Sequence, residues 1–352
     1  MKTAVMTGIG KIIFEDREQP VPGPNDVLVK VEKVGICGSD LHYFETGRIG
    51  DFVVEPPFVL GHEAAGTVVQ VGESVTSLAP GDRVALEPNI TCGICEQCRS
   101  GKYNLCPDVE FFATPPIDGT FQEYVTHPAH LCFQLPANVS TMEGALIEPL
   151  AVGFHAAAVG EAKLGQTAVV FGSGCIGLVS MMALKAIGLS QVFVVDVMAA
   201  RLAKARELGA DVVINATGES VIEIVSQATG GRGVDLVIET SGTDIAMAQS
   251  VEISRSGGTI VPVGYSASGN VTVPMSVAIN KELRFQTVFR YRHNYPVAIQ
   301  AVSDGRVNLK GIVTHEFAFE DIQHAMDASI ADKATIVKAV MDLVGDERVS
   351  MG

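Results

Sequence analysis

The sequence predicts an α/β chain of two domains, one β-rich and one built on a parallel sheet with crossover helices. Three observations predict it. The chain has 352 residues, too many for one ordinary core. Its first part carries short alternating apolar runs broken by Pro and Gly. Its middle part alternates apolar runs with helical stretches.

To about residue 150, runs such as Val27–Val31 and Thr67–Val71 alternate, and Pro20–Pro24, Pro56-Pro57 and Pro80-Gly81 punctuate them. This texture is that of many short strands. From 151 to 289 the rhythm changes. Thr167–Phe171, Val192–Asp196, Val212–Asn215, Leu236–Glu239 and Thr259–Val263 are strand candidates, with helical stretches ending near Ile187 and spanning Ala199–Leu208. Such alternation favours a parallel sheet. The remaining residues, 290–352, return to mixed texture with a helix near Tyr295–Ser303, and are expected to rejoin the first domain.

Composition narrows the function classes. Hydrophobic residues make up 47% and charged residues 18%, a globular balance. A net charge of −15 disfavours nucleic acid, since phosphate repulsion goes uncompensated. Small molecules and further copies of the chain are the expected partners. Met1–Phe14 lacks the apolar core of a signal peptide. Ala168–Leu184 is uncharged, but it is too short for a membrane span and Gly-Ser-Gly interrupts it. A cytoplasmic protein without membrane partners is expected.

Gly172-Ser173-Gly174-Cys175-Ile176-Gly177 is a G-x-G-x-x-G between an apolar run and a helical one, and Asp196 ends the next apolar run. The first Gly permits the tight turn, the second lets backbone approach a pyrophosphate, and the third lets helix pack on strand. Gly172, Gly174, Ile176 and Gly177 are thus candidate cofactor contacts. Asp196 is a candidate acceptor for ribose hydroxyls, and its charge favours NAD over NADP. Arg201 is the counter-signal, read as stacking near adenine or pairing with an acid. The alternative is a Gly-rich turn of an ordinary parallel sheet.

Four of the seven Cys lie at Cys92-x-x-Cys95-x-x-Cys98-x7-Cys106. Four thiolates on a short loop can surround one zinc with no position left for substrate, so the loop reads as a structural site. Gly93 and Gly101 allow the chain to turn. Disulfides and an iron–sulfur cluster are the alternatives; disulfides conflict with the reducing compartment expected without a secretory signal.

Cys37, His62, Glu63 and Glu148 are further candidate metal ligands. Zinc held by Cys, His and carboxylate with one open position is a catalytic arrangement that lowers the pKa of a bound alcohol. Asp40 suits a role orienting His62, and Ser39 and His42 suit proton relay. Taken singly, Cys37 reads as packing and His62-Glu63 as a surface pair. Spacing does not bring 37, 62 and 148 together.

The whole chain resembles the zinc-containing medium-chain dehydrogenases, and within them the sorbitol and xylitol dehydrogenase branch. Gly61-His62-Glu63, Gly81-Asp82-Arg83-Val84 and the four-cysteine loop match the wider family. The branch is marked by His42-Tyr43, Gly47-Arg48-Ile49-Gly50, Phe112–Pro116, Ala145–Pro149 and Phe289-Arg290-Tyr291. The resemblance implies a GroES-like catalytic domain (1–150 and 290–352) and a Rossmann domain (151–289). It implies Cys37, His62 and Glu63 as catalytic zinc ligands, with Glu148 hydrogen-bonding zinc-bound water or joining them. Ser39 and His42 match the relay, and Tyr43, Phe111, Arg290 and Tyr291 the polyol wall. The implied activity is NAD-dependent oxidation of a secondary hydroxyl of a sugar alcohol to a ketose, with one catalytic and one structural zinc per chain, in a homodimer or homotetramer. Threonine 3-dehydrogenase and butanediol or secondary-alcohol dehydrogenase are the rival activities on the same fold.

Overall fold

The computed structural model describes residues Met1–Gly345, and the last stretch of the expected catalytic domain, 346–352, lies outside them. Two units emerge. One comprises Met1–Glu148, Tyr295–Ser303 and, among the described residues, 313–345; the other comprises Pro149–Asn294 and Asp304–Ile312. The reading from sequence assigned all of 290–352 to the first domain, whereas 290–294 and 304–312 group with the second. Side-chain packing gives the reason: a Cβ on Gly311 would stand 2.5 Å from Leu208 Cδ2.

In the first unit, strand Asp26–Gly35 is central. Val27, Leu28, Val29, Val31 and Val34 are all buried, so both faces of the strand are covered at its start, and its period of two is broken where the register with the neighbouring strand shifts. The strand is long enough to change neighbours. Its first half pairs antiparallel with Tyr124–Pro128, and its end pairs with Ala339–Asp342. Glu63–Val71 runs along its other edge, followed outward by Arg83–Leu86 and Cys132–Gln134. His315–Ala318 completes the seven-stranded sheet, parallel to Ala339–Asp342, with helix Ile322–Ala331 as the crossover. The core joins Val29, Leu60, Leu86, Phe121, Met326 and Met341. Helix Tyr295–Ser303 is fastened to this unit by Tyr295, whose hydroxyl donates to the Leu86 carbonyl at 2.8 Å.

The second unit is a six-stranded parallel sheet. Its spatial order is Val212–Asn215, Gln191–Asp196, Thr167–Phe171, Val234–Glu239, Ser254–Pro262 and Arg284–Phe285. Numbered along the chain, that order is the 3-2-1-4-5-6 of the doubly wound dinucleotide-binding fold. Both faces are covered: Val169 and Phe171 on one side and Ala168 and Val170 on the other are buried, which makes each strand a continuous apolar run. The uncharged segment near 168–184 is a strand, a turn and the helix Cys175–Ile187. Among the described residues no helix is long and apolar enough to cross a membrane.

Candidate functional site

Cys37 and His62-Glu63 are brought together by strand register. Gly35, at the end of its strand, pairs with Glu63, which starts the neighbouring one. Cys37 then follows Gly35 by two residues while His62 precedes Glu63, so the chain ends meet beyond the sheet. One ligand atom from each of Cys37, His62 and Glu63 lies within 4.8 Å of the others. Glu148, buried in the first turn of helix Ile147–Val159, is outside this mutually close set.

Asp40 supports the cluster from behind. It is 0% exposed and belongs to helix Gly38–Thr46, whose N-cap is Cys37. Its Oδ2 accepts from the Cys37 N–H at 3.0 Å and its Oδ1 from the Gly61 N–H at 2.9 Å. The same Oδ1 lies 3.6 Å from His62 Nδ1. Burial alone would raise the Asp40 carboxyl, but His62 and the two backbone N–H groups outweigh it and hold the carboxyl below its usual range. For His62, burial would lower the imidazole; Asp40 and the Cys37 thiol overcome this and push it well above its usual value. The donor set itself, a thiol, an imidazole and a carboxylate together, suits a softer divalent metal. Phe111 lies over the imidazole with ring centroids 5.4 Å apart. Ser39 is half-buried and His42 exposed on the helix that Cys37 starts, and Tyr43 on it is buried.

The second cluster is the four-cysteine loop. Gly93 and Gly101 adopt positive φ (71° and 75°), the turns the loop needs. Cys95 caps the four-residue helix Glu96–Arg99, its sulfur accepting from the Cys98 N–H at 3.4 Å. Sulfur separations are 3.5 Å for Cys106–Cys92 and 4.0 Å for Cys92–Cys98, and all four ligand atoms lie within 4.8 Å of one another. Disulfide sulfurs stand about 2.0 Å apart. Thiolates around one tetrahedral zinc stand about 3.8 Å apart, given the Zn–S length. The donor set fits zinc. Backbone N–H groups of Ile94 and Cys95 draw the Cys92 thiol down to about 7. Burial pushes Cys106 up to about 11.

In the second unit, the Gly-rich turn joins Thr167–Phe171 to helix Cys175–Ile187 beside the end of Val234–Glu239, at the switch in strand order. Gly172 has φ of 90°, and a Cβ on Gly177 would overlap the Gly172 carbonyl oxygen, so both glycines are required. Ile176 is half-buried on the first turn of the helix. Asp196 ends its strand as expected, but its carboxylate is already engaged. Oδ2 accepts from Ser173 N–H and Oγ–H at 2.7 and 2.8 Å, and Oδ1 from Val197 and Met198 N–H at 2.7 and 2.9 Å. The Arg201 guanidinium sits beside the turn, 3.6 Å from where a Gly174 Cβ would stand. Arg290 has φ of 54° and its guanidinium lies 5.0 Å from the Phe289 ring centre, while Tyr291 is fully buried. Ser173 and Lys338 are the site-adjacent residues that sequence reasoning missed. A Lys inside the apolar run Ile336–Met341 was the available signal for the latter.

Comparison with known proteins places these features. Residues 23–137 match the family model of the alcohol dehydrogenase GroES-like domain, and residues 175–304 that of zinc-binding dehydrogenases. Bovine sorbitol dehydrogenase is 46% identical over 92% of each chain. Bacillus subtilis sorbitol dehydrogenase is 40% identical over 97% of each. An Escherichia coli crystal structure, described as an oxidoreductase/dehydrogenase of unknown specificity, superposes with a TM-score of 0.92 at 43% identity, covering 97% of this chain and 98% of that one. A continuous likeness of this extent, running through both units, makes the chain an oxidoreductase of the zinc-containing medium-chain alcohol dehydrogenase family, in its sorbitol dehydrogenase-like branch.

Proposed function

We propose that the protein is an NAD-dependent polyol dehydrogenase that oxidises a secondary hydroxyl of a sugar alcohol, sorbitol or xylitol among the candidates, to a ketose. The observation that carries this reading is the convergence of Cys37, His62 and Glu63, backed by Asp40, in a chain whose relatives include sorbitol dehydrogenases. In this reading Cys37, His62 and Glu63 hold a catalytic zinc, and Cys92, Cys95, Cys98 and Cys106 a structural one. Zinc in the first site would act as a Lewis acid toward the substrate hydroxyl, and NAD would accept the hydride.

The chain's own residues do the rest. Asp40 fixes the His62 ring, and through the Cys37 N–H it fixes the start of the helix. Ser39 and His42 pass the hydroxyl proton outward, His42 being the exposed end. Glu148 is assigned a hydrogen bond to water at the site. Substrate contacts fall to Tyr43, Phe111, Arg290 and Tyr291 on the strength of the branch motifs. Gly172, Gly174, Ile176 and Gly177 shape the pyrophosphate turn, and Arg201 neighbours it. Asp196 takes the adenosine ribose, with the Ser173 hydroxyl the donor that gives way, since a carboxylate offers only about four acceptor positions. A cytoplasmic homodimer or homotetramer completes the reading.

The test is NADH production at mildly alkaline pH against sorbitol, xylitol, galactitol, butanediol and threonine, with and without a zinc chelator. Turnover of a polyol that the chelator abolishes is the expected result. Turnover of threonine or butanediol alone overturns the substrate class.

Asp196→Ala tests the cofactor assignment. Losing a charged acceptor costs about 1.5–3 kcal/mol, so NAD affinity falls roughly 10- to 100-fold. Rejection of NADP relaxes at the same time, because the repelling charge is gone. Titrations of both cofactors check this, and an unchanged NAD/NADP ratio sinks the ribose assignment.

A further inference from the structure

Lys338 lies immediately before strand Ala339–Asp342 and is only 2% exposed. A buried ammonium needs partners. It donates to the Ile36 carbonyl at 2.9 Å and forms an ion pair with the Glu63 carboxylate, itself 1% exposed. The juxtaposition is built into the sheet. Gly35 pairs with Glu63 on one side and with Val340 on the other. The absence of a side chain at Gly35 leaves the space: a Cβ there would overlap Glu63 Oε2 and lie 3.0 Å from Lys338 Cε.

We propose that Lys338 is a positioning residue that holds the Glu63 carboxylate and competes with the metal for it, so that it limits how tightly the Cys37–His62–Glu63 site binds its metal. The inference rests on the zinc reading above. Two cations then share one carboxylate. Its charge is divided between them, and the ammonium repels the metal across a short, water-poor distance. Removing the ammonium leaves a buried carboxylate without a counter-ion when the site is metal-free, which is costly. Metal relieves that cost when it binds, so the lost ion pair reappears as tighter metal binding. A merely structural Lys338, pinning Ile36 and the strand, makes the opposite prediction: its loss loosens the site and the metal escapes.

The experiment is equilibrium competition for zinc between the full-length protein and a chromogenic chelator. The phase belonging to this site is the one missing in Cys37→Ser. Lys338→Met is expected to tighten zinc in that phase roughly tenfold, and Lys338→Arg to stay near wild type. In a Glu63→Gln background the same Lys338→Met change should move zinc affinity by less than about threefold, since Lys338 acts through the carboxylate. Unchanged or weaker zinc in Lys338→Met overturns the proposal. Should Lys338→Met fail to fold, the Glu63→Gln pair decides: a large weakening there shows a structural pin and overturns it. If wild type has no zinc phase that Cys37→Ser removes, the zinc reading itself fails and takes this inference with it.

Discussion

Cys37→Ser is expected to lower kcat/KM by at least about 1,000-fold, some 4 kcal/mol of transition-state stabilisation, while leaving NAD binding within a factor of about two. The change is nearly isosteric, so the loss is chemical. A serine hydroxyl is a far poorer donor than sulfur to a borderline-soft metal, so the cluster would lose its one soft ligand. The fold should tolerate the change. Position 37 is the N-cap of helix Gly38–Thr46, and Ser is a favoured N-cap residue. The Asp40 contacts run to backbone N–H groups of Cys37 and Gly61, not to the sulfur. The Gly-rich turn and Asp196 belong to the other unit, whose core of Val169, Phe171, Phe193 and Val237 does not depend on position 37. NADH formation measures the first quantity, and fluorescence titration with NADH the second. Turnover near the wild-type level would remove Cys37 from the chemistry. Loss of cofactor binding together with turnover would point to misfolding instead.

What could be read from the sequence depended on whether a feature is local. The Gly-rich turn, its flanking strand and helix, and Asp196 lie within one βαβ unit, so their arrangement was legible in order. The cysteine loop closes within fifteen residues and its spacing alone pointed to a metal. Cys37 and His62 are different. They meet because Gly35 registers with Glu63, and register is set by which apolar faces pack, a property of two distant segments together. Only family resemblance could join them beforehand. Lys338 was hidden for the same reason: its two partners, Ile36 just past one strand and Glu63 at the start of the next, lie near the other end of the chain. The Asp196 carboxylate carried a different surprise. Its position was legible, but its four protein donors were not, because they arise from the local turn geometry of Ser173, Val197 and Met198. The stretch 304–312 joined the second unit through Gly311 and Leu208, a packing choice that texture does not encode.

Cys106→Ser should lose one zinc per chain and lower Tm by about 5–10 °C, corresponding to a few kcal/mol at this chain length. The lobe has little else to hold it. Its regular elements are helix Glu96–Arg99 and the single 3₁₀ turn Tyr103–Leu105, far too short to persist alone. Cys106 is the one buried sulfur of the four, and burial raises its thiol to about 11. Without metal it therefore stays protonated at neutral pH; a bound zinc must displace that proton, and the resulting thiolate needs the metal's charge to remain buried. A serine at 106 supplies neither charge nor soft donor, leaving three ligands and an open position. The effect should also reach the other site. Tyr103 donates to the buried Glu87 carboxylate at 2.7 Å, Asn89 pairs with Phe111, and Phe111 packs on His62. Turnover should fall with the lobe, but by far less than for Cys37→Ser, since the Gly35–Glu63 register that brings the three candidate catalytic ligands together lies outside the lobe. Zinc analysis, thermal melts and limited proteolysis between Cys92 and Cys106 report the three consequences separately. A variant that kept its second zinc and its Tm would show that the four thiols do not form a structural centre. A variant that lost zinc but kept Tm would show that the lobe is held by Tyr103 and Glu87 instead.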